Sequence, residues 1–215
     1  WVGVLLVLSV IVLTRKHFNA KAAPMAAIAF AGMPIVMWLA TTAYVDLATA
    51  LYTVVSVHLL LINLDKPEHK SLIGCAVAAG FAASTKMTGL GIIPLLLTWL
   101  LIDQWVSERS IAWKRGLMCV GVALLVCSPW YIKSIIYTGN PVYPFFYSIL
   151  GGRNWSAALA SHYAIQQAKF GIGHDLGAFL LLPFNIAFNS YTFYDRPGLF
   201  VGPIFLVAVP LLFAT

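Results

Sequence analysis

The stretch that decides the fold is Thr41-Thr42-Ala43-Tyr44-Val45-Asp46, in the middle of a long apolar run. Asp46 is the only charged residue between residues 22 and 64. A carboxylate at the bilayer centre costs about 2.5–3.5 kcal/mol on insertion scales, and the run exceeds the roughly 20 residues of one span. We therefore predict a hairpin of two transmembrane helices with Asp46 at its tip. Residues 22–40 form the first helix despite their prolines, which membrane helices tolerate, and residues 47–63 form the second.

The composition of the whole chain supports a membrane protein. Of its 215 residues, 61% are hydrophobic and 9% are charged, whereas soluble domains carry about 25% charged residues. We expect an all-α, polytopic integral membrane protein with about seven membrane-embedded helices. The net charge of +6 reports orientation in the membrane rather than affinity for nucleic acid, and no nucleic-acid partner is predicted.

A second apolar hairpin covers residues 71–102, where Lys86 is the only charge. Its arms have about 15 residues each, or about 22 Å at the helical rise of 1.5 Å per residue. That length is less than the roughly 30 Å hydrocarbon core, so the turn around Lys86 should be recessed. Irregular backbone at that depth must be buried in protein or line a wet cavity. Lys86 is therefore predicted to face a cavity.

Three loops hold most of the basic residues and are predicted to be cytoplasmic by the positive-inside rule. They are residues 15–21, 65–70 and 103–115. The turns at Asp46 and Lys86 then lie on the extracytoplasmic side. Residues 116–132 form the next predicted helix, and Lys133 follows it mainly as an anchor at the membrane interface.

Residues 134–176 are predicted to form a long extracytoplasmic loop. Residues 137–144 are expected to be extended or turned, because two prolines and a Gly-Asn pair exclude a regular helix. Residues 155–170 predict an amphipathic helix on the membrane surface, with Asn154 as its N-cap and Gly171 as its stop.

The C-terminal part continues the membrane pattern. Residues 177–188 are expected to dip into the membrane without spanning it, residues 195–198 to form a loop, and residues 199–215 to begin a further span. Because the chain begins and ends inside apolar runs, we expect an internal fragment in which residues 1–215 belong to one transmembrane domain.

The outward charges predict a site for an anionic substrate. Cations such as Lys86 and Arg153 can hold a phosphate, and a carboxylate such as Asp46 can orient a hydroxyl or act as a base. Two structural roles remain open. Asp46 is also placed to cap the helix that follows it, and Lys86 to extend along the membrane surface.

A metal or redox role is not predicted, and we expect no cofactor. Cys75, Cys119 and Cys127 lie in apolar segments without CxxC spacing and are expected to pack as small hydrophobic side chains. His58 is expected to be a hydrogen-bonded histidine of the interior. His162 and His174 lack the spacing of a metal site.

Three stretches resemble the GT-C membrane glycosyltransferases, in particular the protein-mannosyltransferase-like group (glycosyltransferase family 39 and relatives, including the aminoarabinose transferases). The first is AYVDLA at residues 43–48, an acidic residue at the outer start of a helix. The second is AGFAASTKMTGL at residues 79–90, a small-residue helix ending in Lys and Gly. The third joins SPWYIK at residues 128–133 to TGNPVYPF at residues 138–145.

The resemblance implies a GT-C-like helix bundle that passes a sugar from a polyprenyl-phosphate carrier to a lipid, glycan or protein acceptor outside the bacterial inner membrane. Asp46 matches the second acidic position of the family's outer cleft, as a supporting carboxylate. Lys86 matches the nearby basic residue, and the expected substrate- and phosphate-binding residues are Lys86, Arg153 and Tyr143. The principal catalytic carboxylate belongs to an earlier outer loop, which would precede Trp1.

Two other functions remain open. A transporter or flippase for an anionic lipid or sugar would use the same outward cations, but it should have inverted repeats and charges on both sides of the mid-membrane. The hairpins 22–64 and 71–102 instead share one orientation. A noncatalytic membrane scaffold is the third possibility.

Overall fold

The protein is helical throughout the part of the chain that its computed structural model describes, which confirms the all-α prediction. The described residues are 1–109, 112–173, 175–189, 192–193 and 201–203. His174 and the predicted loop 195–198 lie outside these residues, as does the predicted span 199–215 except for its residues 201–203.

Eleven α-helices and one 3₁₀ turn, Met87–Gly91, occur within the described residues. The helices are α1 (Val2–His17), α2 (Ala23–Ala31), α3 (Pro34–Ala40), α4 (Asp46–Asp65), α5 (His69–Thr85), α6 (Ile92–Glu108), α7 (Trp113–Thr138), α8 (Tyr147–Leu150), α9 (Ala157–Gln167), α10 (Leu176–Leu180) and α11 (Leu182–Phe188).

Helix α5 lies at the centre of the bundle, where it packs extensively against both α4 and α7. Its small residues allow this close packing, and Ala76, Ala79 and Ala82 are buried in the main core. The three cysteines are also buried, two of them in α7, and none forms a disulfide. They pack as small apolar side chains, as predicted.

Three helical segments of the described chain are long and apolar enough to cross a membrane: α4, Met87–Ser107 and α7. Helices α2 and α3 would make a fourth span, but the chain bends by 72° between them. Helices α1 and α5 have 16 and 17 residues, short of the roughly 20 that a full span needs. Length and composition thus support three or four of the seven predicted membrane helices.

The prediction of one continuous helix over residues 22–40 is wrong. Met33 has extended backbone angles (φ −66°, ψ 128°), and α3 starts at Pro34. A proline disfavours the helical conformation in the residue before it, so α2 ends and α3 begins in a new direction.

Helix α7 is longer than the predicted 116–132 and continues through Pro129 to Thr138. Tyr137 and Thr138 are therefore helical, and the prediction that residues 137–144 are extended or turned is wrong for these first two residues. Proline at this position cannot donate to the carbonyl of Leu125 four residues earlier. The Ser128 hydroxyl donates to that carbonyl instead at 2.8 Å, and so the helix persists.

The predicted surface helix 155–170 is shorter in the structure and has a different cap. Helix α9 covers Ala157–Gln167, and the Ser156 hydroxyl accepts a hydrogen bond from the Leu159 amide at 3.2 Å. Asn154 instead has a positive φ of 61°, and Ala168, rather than Gly171, follows the last helical residue. Serine in an extended conformation is a good N-cap, which explains the shift.

Replacing Gly80 with Ala is expected to destabilise the bundle by about 1–3 kcal/mol, as overpacking of a core usually does. A Cβ on Gly80 would lie 2.6 Å from the Val126 Cβ and 2.7 Å from the Ala123 carbonyl oxygen, so α5 and α7 would have to separate. The measurement is the thermal unfolding midpoint in detergent. Gly121→Ala is the matched control in α7, because its Cβ would meet no atom within 4 Å. An unchanged midpoint for Gly80→Ala would contradict this packing.

Candidate functional site

The two lone charges of the apolar hairpins meet in the structure. Asp46 is the first residue of α4, and Lys86 directly follows the last residue of α5. Because α4 and α5 pack along each other, these two ends lie side by side. The Lys86 Nζ donates to the Asp46 Oδ1 at 2.6 Å. We call this end of the bundle the Asp46 end.

The Asp46–Lys86 pair is open to a ligand, since the two side chains are 35% and 42% exposed. The N-cap of α4 is Val45, and Asp46 makes no side-chain capping bond to the helix. The structure therefore does not show the capping role that the sequence left open for Asp46. The carboxylate still lies at the positive end of the α4 dipole. Lys86 reaches sideways to this carboxylate and does not simply extend along the surface.

The turn after Lys86 folds back tightly on α5. The Gly89 amide donates to the Lys86 carbonyl at 2.8 Å, and a Cβ on Gly89 would overlap the Ala82 carbonyl. Only glycine fits this approach. The Tyr131 hydroxyl of α7 donates to the Ala83 carbonyl at 2.9 Å, which satisfies one of the free carbonyls at the end of the helix. Two neighbouring elements thus fix the backbone that carries Lys86.

A pocket of about 290 Å³ opens beside Lys86, between the end of α5, the last turns of α7 and the loop that follows α7. We call it the Lys86 pocket. Its wall contains three aromatic residues and two lysines, and the lysines come from different helix ends. The lining includes Lys86, Trp130, Lys133, Tyr137, Pro141 and Tyr143.

The structure brings three of the four predicted site residues to one end of the molecule. Tyr143 lines the pocket with Lys86, while its hydroxyl donates to the Asn154 carbonyl at 3.3 Å. Asp46 reaches the pocket through its ion pair with Lys86. Arg153 approaches only by its backbone, since its amide donates to the Thr138 carbonyl at 2.7 Å. The Arg153 side chain is exposed and is not part of the lining.

Comparison with known protein families decides the assignment. Residues 2–132 match the family model of dolichyl-phosphate-mannose-protein mannosyltransferases, which covers more than half of the chain and includes both Asp46 and Lys86. The chain belongs to this family. Its members are GT-C membrane glycosyltransferases that take a sugar from a lipid-linked donor. No curated protein and no solved structure matches the chain.

The loop after α7 lies beyond the residues matched to the mannosyltransferase family, and its organisation was not predicted. Asn140 is fully buried in it. The Asn140 side-chain amide donates to the carbonyls of Phe145 and Gly151 at 2.9 Å each, and its oxygen accepts from the Val142 amide at 2.9 Å. One side chain thus holds together a loop that forms a wall of the pocket. The only sequence signal was a Gly-Asn pair, which indicates a turn and says nothing of these partners.

The opposite end of this mannosyltransferase-family bundle carries a separate polar cluster. The rings of His17 and His58 form a hydrogen bond at 3.1 Å, so His58 is hydrogen-bonded as predicted, although it is only half-buried. The His17 Nδ1 lies 3.9 Å from the Asp65 carboxylate. Across the residues described, no group of three or more His, Cys, Asp and Glu side chains has the arrangement of a metal site.

Proposed function

We propose that the protein transfers a sugar from a polyprenyl-phosphate carrier to an acceptor on the extracytoplasmic face of the membrane. The observation that carries this proposal is the position of Lys86, which contacts Asp46 and lines the pocket at the same time. A cation held at the edge of an aromatic pocket suits a ligand with a phosphate and a large uncharged part. Family membership supports the lipid-linked donor.

The distribution of basic residues supports an extracytoplasmic site. Eight of the 13 Lys and Arg residues lie in residues 15–21, 65–70 and 103–115, which comprise the loops between α1 and α2, between α4 and α5, and between α6 and α7 together with the adjoining helix ends. All three segments lie at the ends of helices away from Asp46. Basic loops concentrate on the cytoplasmic side of plasma membranes. The Asp46 end would then face outward, where a lipid, glycan or protein acceptor could approach it.

Lys86 would act on the leaving group. When the bond between the sugar and the phosphate breaks, negative charge increases on the phosphate oxygens, and a positioned ammonium stabilises that charge. Asp46 would serve as the supporting carboxylate that holds the ammonium in place. The aromatic side chains of Trp130, Tyr137 and Tyr143 would offer apolar faces to the sugar or to the first units of the lipid.

The experiment is transfer of a labelled sugar by the full-length protein in membranes, with the sugar supplied on a polyprenyl phosphate or on a nucleotide. We expect product only from the polyprenyl-phosphate donor, and Lys86→Ala should lower the rate by about 10²–10³-fold, the loss typical of one charge-stabilising group. Lys66→Ala is the control, because Lys66 is an exposed lysine paired with Glu68 in a different loop.

Two results would contradict the proposal. If the sugar is transferred only from the nucleotide, the proposed lipid-linked donor is wrong. If the labelled lipid crosses the membrane without forming a covalent product, the protein is a transporter. A well-folded Lys86→Ala variant with normal transfer would leave the reaction in place but remove Lys86 from it.

A further inference from the structure

The charges around the Lys86 pocket do not cancel. Lys86 is already paired with Asp46, whereas no carboxylate in the described ranges forms an ion pair with Lys133. The lining contains these two lysines and no acidic residue. Counted with Asp46, the pocket therefore has one positive charge in excess, and Lys133 provides it.

Lys133 is an exposed side chain whose ammonium lies over an aromatic ring that also lines the pocket. Its Nζ lies 5.2 Å from the centroid of the Trp130 ring, a distance at which a cation is attracted to the face of an aromatic ring. Both side chains belong to α7 and are three residues apart, so they project from the same side of the helix.

The hydroxyl groups of the pocket are largely unavailable to a ligand as donors. The lining contains five hydroxyls, and four of them already donate to backbone carbonyls. These four belong to Thr85 (to Phe81), Ser134 (to Asn140), Thr138 (to Ser134) and Tyr143 (to Asn154). An anion that enters the pocket must therefore be held chiefly by the two ammonium groups.

We propose that Lys133 is the principal anchor of the phosphate in the lipid-linked sugar donor. This inference rests on the proposed function and adds a division of roles. Lys86, neutralised by Asp46, is held for the developing charge of the leaving group, while the uncompensated charge of Lys133 attracts and holds the donor.

The test measures binding without transfer, using the full-length protein in nanodiscs. The probes are polyprenyl monophosphate, uncharged polyprenol of the same length, and inorganic phosphate. Lys133→Gln should weaken polyprenyl monophosphate binding by about 10–100-fold, the usual range for a lost hydrogen bond to a charged group, and Lys133→Arg should restore most of it. Lys169→Gln is the control, because Lys169 is an exposed lysine outside the lining.

The three probes separate the possible outcomes. Loss of monophosphate binding with unchanged polyprenol binding supports the proposal, and weak but Lys133-dependent binding of inorganic phosphate supports it as well. Equal weakening of polyprenol would mean that Lys133 acts through packing, and unchanged monophosphate binding in Lys133→Gln would remove it from the site. Either result overturns the proposal.

A kinetic measurement distinguishes this inference from the proposed function. If the protein transfers the sugar, Lys133→Gln should raise KM for the donor by about the same factor as it weakens monophosphate binding, while kcat stays within about 3-fold. The reason is that the variant loses an interaction that is equally strong in the bound donor and in the transition state. A fall in kcat with unchanged KM overturns the assigned role. If no sugar is transferred by any variant but monophosphate binding still depends on Lys133, the proposed function fails and the anion site stands.

Discussion

Asp46→Asn is expected to lower sugar transfer by about 100-fold while the protein remains folded. The variant keeps the size of the side chain but removes the negative charge that holds the Lys86 ammonium at 2.6 Å. Lys86 would then move freely in a half-open site, and a displacement of about 1 Å in a positioned group can cost about 10²-fold in rate. The measurement is the initial rate of transfer from labelled polyprenyl-phosphate sugar.

A double-mutant cycle tests whether Asp46 acts through Lys86. If Asp46 only positions the ammonium, Asp46→Asn has nothing further to remove once Lys86 is Ala. The double variant should therefore transfer within about 3-fold of Lys86→Ala alone, because residues that act as one unit are not additive. If the two losses instead multiply, Asp46 has a separate role at the acceptor.

The control for this cycle is the ion pair between Lys66 and Glu68, which has a similar distance of 2.7 Å in another loop. Glu68 and its hydrogen bond raise the pKa of Lys66, but the Lys66 side chain is 81% exposed, and such surface pairs contribute little. Glu68→Gln should leave transfer unchanged. A loss of transfer equal to that of Asp46→Asn would mean that any broken pair disturbs the bundle.

The sequence was sufficient to predict that Asp46 and Lys86 lie close together. A charge in an apolar run needs a partner or a wet surface, and each of these residues is the only charge in its hairpin. Hairpins of the same orientation put their tips on the same side. The three-residue loop between α4 and α5 also makes these helices antiparallel neighbours. What the sequence did not specify was the direct hydrogen bond of 2.6 Å between the two side chains.

Other features depended on single hydrogen bonds or local angles that no sequence pattern expresses. The length of α7 depends on the Ser128 hydroxyl, which replaces the donor missing at Pro129. The bend before α3 arose at Pro34, although the Phe30 carbonyl four residues earlier still accepts a hydrogen bond from the Met33 amide at 3.3 Å. In both helices the freed carbonyl finds a donor, and the difference lies in the residue before the proline, which is extended at Met33 and helical at Ser128.

The sequence composition predicted the aromatic loop after α7, but it did not predict which residues of that loop contact the pocket. Tyr143 entered the pocket because the loop turns back toward α7, and Arg153 contributes a backbone amide rather than its charge. Lys133 appeared from the sequence to be an anchor, since its position beside Trp130 and the pocket depends on the extra turns of α7. Nonlocal geometry thus decided which cation faces the site.

The second large effect is expected at Asn140, where Ala should lower the free energy of unfolding by about 3–5 kcal/mol. The side chain is 0% exposed and makes three hydrogen bonds within its loop. Its removal leaves two carbonyls and one amide of this part-buried loop without their partner, and a buried unpaired group costs about 1–3 kcal/mol. Entry of water into the space would recover part of this cost, which keeps the expected loss below the sum.

The thermal unfolding midpoint and the binding of polyprenyl monophosphate should respond together to Asn140→Ala, because the same loop carries Pro141 and Tyr143 to the pocket wall. Asn140→Asp is the sharper variant. It keeps the acceptor for the Val142 amide but places a carboxylate against two carbonyl oxygens, so it should be at least as damaging as Ala. Asn19→Ala is the control, since Asn19 is exposed and its side chain accepts one bond, from the Lys21 amide. If Asn140→Ala unfolds at the same temperature as Asn19→Ala and still binds the lipid phosphate, the loop does not depend on this side chain, and the wall of the pocket must be held by the aromatic contact between Tyr143 and Trp155.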